Sequence, residues 1–527
     1  MTMPTWTDQL GDWNPQILRE IRGRLKPRTL IAAILLSAIV QLCLIVSVLG
    51  YAFADPVIQQ ERWRGLWQTM TWLITYLTFC LGGFYLVNDL TQEEDRGTLN
   101  FLRLSPRPAW QLLLGKLLGV PVLPVLCLLC AVPLYCLAAF LGGISMSFVG
   151  SIFITLFLAC IVFYCLAMFF GLVGGRNLTG SGQRTTSIIG FVALSFLLIA
   201  PLYMVWNTQM TWHPWDELEV FGSYTPKYFW YYQLLNQSPI ISQGFTWINL
   251  VIMALFLWRV LLRRFRRPMA TLLSKRQSYA LLAYATVILL GFPLQPITLE
   301  ANYLRDVWIS TIPSMLLLSR ILILVAIFWI CPQRQALLDW LRLPQRGWLG
   351  WLWADKSPVI AAIPTFIAIN AAILIPWALL NFPRAKLSGI HWALVFLGYY
   401  LPIVFYGLII QLFFTSRLRN PSIWAVITVV VCSIVPPLLL GVLGRGYDEP
   451  IAMWSALGYP SLNITPPSSP IQSTPIINPD LGVPSILIGV VIQLVAIAAL
   501  SCFYWVRMKL MNAQVAKTEV QLTNAGV

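Results

Sequence analysis

Twelve long apolar runs dominate this chain, at 29–53, 66–88, 110–141, 148–174, 185–206, 246–262, 278–295, 312–331, 358–381, 389–414, 421–443 and 484–506. A helix needs about 20 mostly apolar residues to cross a bilayer. Runs of that length in a water-soluble core would have nothing to bury against, so lipid is the solvent they imply. Only 10% of the 527 residues are charged, and the mean hydropathy is +0.74; soluble domains carry about 25% charged residues. The expected fold is an all-α polytopic membrane protein with about twelve transmembrane helices. The third run holds Pro121, Pro124 and Pro133, which predicts a kink or tilt there.

The formal net charge is +15, which by itself would admit nucleic acid as a partner. The distribution excludes it. Lys and Arg concentrate in the segments on one side of the alternating runs, with "RRFRRP" (Arg263 to Pro268) the densest cluster. That is the positive-inside pattern of a membrane protein. It predicts a multi-pass protein of the plasma (inner) membrane with both termini in the cytoplasm. The amino terminus lacks the basic-then-apolar pattern and cleavage site of a signal peptide.

All ten cysteines fall in the apolar runs, including the CxxC pair Cys127 and Cys130, and read as buried thiols. His213 and His391 are the only histidines and have no ligand pattern around them. No metal site, catalytic residue or cofactor site is expected on this chain.

An offset of 239 residues relates the two halves. It carries the runs 148–174, 185–206 and 246–262 onto those at 389–414, 421–443 and 484–506. The same offset lays "LNFLRLSPR" (Leu99 to Arg107) on "LDWLRLPQR" (Leu338 to Arg346). The chain therefore reads as two six-span repeats, 1–268 and 269–527. Six is an even number, so the repeats have the same orientation, as in a pseudo-dimer. Each half has a longer outer segment before its sixth run, 207–245 and 444–483. The first is aromatic, around Phe229 to Gln233, the second is rich in Pro and Ser, and composition leaves open whether either is an interfacial helix or a lid.

Between the second and third runs lies "NDLTQEEDRGTLNFLRLSPRP" (Asn88 to Pro108). Thr91-Gln-Glu-Glu94 has the pattern of a capping box, so a helix is expected from Gln92 to Ser105, where Pro106 stops it. Glu93, Glu94 and Asp95 would occupy its first turn, favoured by the positive helix end. Leu99 and Leu102 share one side, and Arg96 and Arg103 can reach anionic groups. Gly97 weakens a helix interior by about 1 kcal/mol, and close approach of a partner backbone is the expected reason for it. Each central charge in a span costs roughly 2.5–3.5 kcal/mol, so the segment belongs on the cytoplasmic surface. Three adjacent acids facing an anionic leaflet are unfavourable, which points to a protein partner rather than lipid.

The acidic pair, Arg-Gly-Thr-Leu (Arg96 to Leu99), Leu102, Ser105-Pro106 and Leu-Gly-Lys (Leu114 to Lys116) resemble the permease of an ABC transporter of the type-2 export class. "NPQILREIRGRLKPR" (Asn14 to Arg28) resembles that family's amphipathic elbow helix. The resemblance covers 14–268 well and 269–527 weakly. It implies a coupling helix gripped by a separate ATP-binding subunit, in two copies if the repeats form a pseudo-dimer, with no further permease subunit. The implied contacts are Glu93, Glu94, Asp95, Arg96, Gly97, Thr98, Leu99, Leu102, Arg103 and Ser105. ATP and Mg would sit on that partner.

The second copy, "CPQRQALLDWLRLPQR" (Cys331 to Arg346), keeps the leucines but lacks the acids and Arg-Gly-Thr. Arg334, Leu338, Leu341 and Arg342 are its candidate contacts, and functional asymmetry between the halves is expected. Reversing Glu93 and Glu94 to Lys should then uncouple ATP hydrolysis more than Arg334→Glu.

No G-x-x-x-x-G-K-S/T occurs, so hydrolysis must come from another chain; "LTGSGQ" (Leu178 to Gln183) only mimics an ABC signature loop. Arg320 is the charge near the middle of a span. Gln41, Asn370, Gln411 and Gln493 are further intramembrane polar groups, candidates for the path or for helix packing. Two other classes compete. A membrane-embedded transferase acting on lipid-linked substrates would use Asp216, Glu217 and Glu219 of "HPWDELE". An ion-driven secondary transporter would need paired intramembrane charges, of which Arg320 is the plain example. The cargo is not encoded in any motif.

Overall fold

The computed structural model describes residues 11–49, 55–174, 229–235, 239–268, 270–294, 312–342, 347–381, 389–418, 421–442, 464–465, 476–477 and 483–524. The expected span at 185–206, the loop acids Asp216, Glu217 and Glu219, His213 and the 178–183 look-alike lie outside them. Two compact units result: Met1–Pro226 with Leu235–Pro268, and Lys227–Leu234 with Met269–Val527.

The first unit contains α1 (Pro15–Arg24), α2 (Pro27–Leu49), α3 (Pro56–Asp95), α4 (Thr98–Leu104), α5 (Ala109–Gly119), α6 (Val122–Leu141), α7 (Met146–Gly174) and α8 (Pro239–Arg266). The third apolar run is broken at Val120–Pro121 into α5 and α6, where proline removes a helix donor. Helix α3 has 40 residues, about 60 Å at 1.5 Å per residue. That is twice a hydrocarbon core of about 30 Å, so its charged last turns emerge from the membrane. Its apolar face packs on α6 and α7. Phe79 stacks on Phe163 at 5.0 Å and Trp67 meets Tyr135 at 5.8 Å. The Tyr164 hydroxyl donates to the Thr78 carbonyl at 3.0 Å, directly over Gly82, where a Cβ would strike its ring. Polar pairs join α8 to α7: Gln243 to Ser151 (2.7 Å) and Trp247 to Thr155 (2.9 Å). Gln41 of α2 donates to the Cys130 carbonyl at 3.3 Å, a helix-packing role. The opposite face of α2, with Leu35, Leu36 and Leu42 more than half exposed, is a lipid-facing surface.

The second unit contains strands β1 (Phe229–Trp230) and β2 (Gln233–Leu234), then α9 (Lys275–Gly291), α10 (Ile312–Ile330), α11 (Arg334–Arg342) and α12 (Trp348–Trp353). A 3-10 turn, Val359–Ala361, leads into α13 (Ile363–Asn381). Then come α14 (Gly389–Thr415), α15 (Pro421–Val442), the strand pair β3 (Ile464–Thr465) and β4 (Ile476–Ile477), and α16 (Val483–Asn524). Of the outer segment 207–245, residues 239–245 open α8 and 229–234 form a hairpin. Tyr231 and Tyr232 turn it with positive φ (45° and 65°). Its donors satisfy carbonyls near the end of α9: Trp230 Nε1 to Ile288 (3.1 Å), Tyr231 N to Gly291 (2.9 Å) and Tyr231 OH to Val287 (2.9 Å).

The intramembrane polar candidates of this unit are all buried. Asn370 Nδ2 donates to Thr286 (3.2 Å) and Ser319 (3.3 Å), and its Oδ1 accepts from Tyr400 (3.0 Å), so it joins four helices. Arg320 stands near the middle of α10 with its guanidinium 4.8 Å from the Tyr399 ring centre. Gln411 accepts from the Val359 N–H at 2.9 Å. Gln493 lies buried on α16. Helix packing accounts for Asn370 and Gln411.

Among the described residues eight helices are long and apolar enough to cross a membrane, or nine if the bent pair Met315–Ile330 and Arg334–Arg342 is one span. This is a mostly helical, multi-pass membrane protein. Of the twelve expected spans, 185–206 lies outside the described residues, the run at 278–295 forms the 17-residue α9, and that at 421–443 forms α15.

Candidate docking site of the first unit

The charged segment after the second span differs from its expected form. Helix α3 does not restart at Gln92; it continues to Asp95. Thr91 is no cap, because its hydroxyl donates back to the Val87 carbonyl at 2.8 Å within the same helix. The break comes at Gly97, whose φ of 72° lies in the left-handed region, with nothing within 4 Å of where a Cβ would stand. Within the chain, Gly97 is required by its backbone conformation. Helix α4 follows with seven residues and ends at Ser105, which is extended before Pro106 as expected.

This short helix is braced from behind. Leu99 is 1% exposed and faces the fold. Arg103 donates to Asn100 at 2.8 Å, lies 5.6 Å from the Phe265 ring centre and reaches Glu94 at 3.8 Å. Thr98 donates to the Glu93 carbonyl at 3.1 Å, and Ser105 to that of Leu102 at 2.8 Å. Glu93, Glu94, Leu102, Arg103 and Ser105 are half-buried, whereas Asp95, Arg96, Gly97 and Thr98 are exposed. Two apolar side chains absent from the expected contact set stand out from the tip: Phe101 is 77% exposed and Leu104 85%. They lie three apart, on one side of the helix. In sequence they are indistinguishable from Leu99 and Leu102, the other apolar pair with the same spacing.

The acids do not form a free negative rod. Lys116 of α5, 3% exposed at its side chain, meets Asp89 at 2.6 Å, Glu93 at 2.9 Å and Glu20 of α1 at 3.6 Å. The Glu93 contact is an ion contact outside hydrogen-bond angles. Arg24 holds the other Asp89 oxygen at 2.6 Å, and Arg19 holds Glu93 at 3.2 Å. Three carboxylates thus face three cations. Their oxygens lie within 4.8 Å of one another, a spacing a metal ion could use, but the Lys116 ammonium fills that place. Burial alone would depress the Lys116 pKa; Asp89, Glu93 and Glu20 outweigh it and raise the pKa, so the ammonium stays charged.

The cluster exists because α1 lies directly on α5. Asn14 caps α1, accepting from Gln16 N (3.1 Å) and Ile17 N (3.4 Å), and its amide donates to the Gln111 carbonyl of α5 (2.8 Å). Pro15 takes the first helical position. Gly115 and Gly119 open the seat: a Cβ on either would come within 2.6 Å of the Gln16 or Glu20 Cβ. Gly115 and Gly119 have the small-xxx-small spacing that lets helices approach closely. That spacing is the sequence signal that another helix can approach α5 closely.

In the second unit, the four residues expected as counterparts are differently placed. Arg334 is turned to α16, donating to Gln514 at 2.8 Å. Leu338 and Leu341 are half-buried and Arg342 is exposed. No residue of α11 is a largely exposed apolar side chain like Phe101 or Leu104.

Neither curated proteins nor solved structures match the chain. Residues 59–263, which contain α3's charged end, α4 and α5 but not α1, match the sequence model of the family described as ABC-2 family transporter protein, and this match supports an ABC-2 type permease.

Proposed function

We propose that the chain is the permease subunit of an ATP-driven ABC exporter, moving cargo with energy from a separate ATP-binding subunit gripped at α4. Such partnering is general to ABC-2 permeases. The observation that carries the reading is the pair Phe101 and Leu104, exposed at the tip of a helix whose other side is locked into the membrane unit. An exposed apolar pair on a braced helix is unfavourable in water and suits a hydrophobic groove. Burying each side chain is worth roughly 1.5–3 kcal/mol. Asp95, Arg96 and Thr98 form the polar rim, and the Lys116 cluster carries a push on α4 and the end of α3 into α1 and α5. Glu93 and Glu94 act within this brace, so reversing them breaks the brace as well as any contact.

The wider reading has two six-span repeats, 1–268 and 269–527, two copies of the ATP-binding subunit with ATP and Mg bound there, and both termini in the cytoplasm of an inner-membrane protein. The register of the helices supports the repeat: an offset of 239 carries Thr98–Leu104 to 337–343, over Arg334–Arg342, and Ala109–Leu141 to 348–380, over Trp348–Asn381. With Arg334 engaged by α16, the second docking helix offers Arg342 and part of Leu338 and Leu341, a weaker hold than the first.

The test is purification of the tagged chain from its own host in mild detergent. An ATPase should co-purify with the native chain and be lost from Phe101→Asp/Leu104→Asp, while Arg342→Glu retains it. Undiminished ATPase in the double variant would refute docking at α4.

A further inference from the structure

Three arginines lie on or beside three mutually packed helices of the second unit. Arg334 opens α11, Arg417 follows the end of α14, and Arg507 lies on α16. Arg507 Nη2 donates to the Thr415 carbonyl at 3.4 Å, two residues before Arg417. Seven residues along the same face of α16, Gln514 holds Arg334 at 2.8 Å. Between and beyond them Met511 and Val515 are buried (3% and 7% exposed), so this face of α16 is fixed in place. Burial first, and then the charges of Arg417 and Arg507, lower the Arg334 pKa. Among the described residues no carboxylate pairs with any of the three; Asp339 of α11 is taken by Lys356 at 3.2 Å. Three like charges gathered this way repel one another, and an anion is the group that would relieve them.

The surroundings say which anion. Phe503, Trp505, Val506 and Leu510 of α16 and Leu418 beside Arg417 are all exposed apolar side chains, between 45% and 61%. The Lys509 ammonium lies 3.7 Å from the Trp505 ring centre. Tryptophan marks the membrane–water boundary, and the apolar outer surface of α16 runs to Leu510, level with Arg507. The cluster therefore sits where lipid headgroups lie. Arg334 is half-buried and pre-oriented by Gln514, Arg507 by the Thr415 carbonyl, and Arg417 is open to solvent. Guanidinium forks match phosphate oxygens in pairs.

We propose that Arg334, Arg417 and Arg507 bind the phosphate of an anionic phospholipid headgroup at the arginine-rich membrane boundary of the second unit. Inorganic phosphate has the same head chemistry, but the flanking apolar side chains would serve only a lipid's acyl chains. The site is independent of docking at α4.

The test is native mass spectrometry of the full chain, delipidated and then mixed with phosphatidylglycerol and phosphatidylcholine of equal chain length. The native chain should retain phosphatidylglycerol in preference. A basic residue at the surface is worth about fivefold in anionic-lipid binding. Arg417→Gln, at an exposed position that leaves packing intact, should lower the preference about fivefold, and Arg417→Gln/Arg507→Gln about 30-fold. Arg266→Gln/Arg267→Gln, which removes two charges outside the site, should lower the preference far less than the Arg417/Arg507 pair. Equal retention of the two lipids, no change in the Arg417 variants, or an equal loss in the Arg266/Arg267 control would overturn the site. Displacement of the lipid by millimolar inorganic phosphate would overturn its assignment to a headgroup.

Discussion

Replacing Lys116 by Met removes the one cation that touches all three carboxylates, while keeping the length of the side chain. Asp89 would keep Arg24 at 2.6 Å, but Glu93 would keep only Arg19, whose side chain is 59% exposed. Breaking a buried pair from one side costs about 3–5 kcal/mol. Here the acids are 9–18% exposed at their side chains, so water offsets part of that, and about 2–3 kcal/mol is expected. The loss should fall on the docking of α1 against α3 and α5 rather than on the whole fold. Amide hydrogen exchange reads it locally: Gln16–Arg24 should exchange roughly 30- to 150-fold faster, at tenfold per 1.4 kcal/mol. Adding Glu93→Gln to Lys116→Met should recover part of this protection, since neighbours in one charge network are non-additive. Unchanged exchange in α1, or a double variant as bad as the sum of the single ones, would refute the view that Lys116 neutralises this cluster.

Two further substitutions test the packing. Gly119→Val places a branched side chain where the Glu20 Cβ already lies 2.6 Å from an added Cβ; it should undock α1 and raise exchange over the same residues, whereas Gly150→Val, with open space around it, should not. Asn370→Leu leaves Thr286, Ser319 and Tyr400 without their shared partner. Intramembrane hydrogen bonds average about 0.6 and reach about 1.7 kcal/mol, so the melting midpoint in detergent should fall by roughly 2–6 °C.

The helices were legible because lipid imposes one rule on sequence: a spanning backbone must bond within itself, and its side chains must be apolar. The run at 66–88 marks the core of α3, and the break at Pro121 follows from proline's missing donor. The ends were less legible. Thr91 fits both a cap and a helix interior, and only the continuation of α3 through Gln92 decides between them. The acids at Glu93 and Glu94 looked like an outward-facing surface because their counter-charges, Lys116, Arg19 and Arg103, are up to 74 residues away in sequence. Which of two apolar pairs points outward, Leu99 and Leu102 or Phe101 and Leu104, depends on what packs behind α4, and short-range spacing is blind to that. The Gly115–Gly119 spacing was readable, but it names no partner until Asn14 and Glu20 are seen against it.

Site-specific cross-linking tests the central claim most directly. A photoreactive residue at Phe101 or Leu104, in the full chain in its native membrane, should join an ATP-hydrolysing polypeptide in high yield, and the same probe at Arg342 should do so weakly. Adducts from Phe101 and Leu104 that hold only lipid, with the ATPase captured elsewhere or not at all, would contradict α4 as the docking helix.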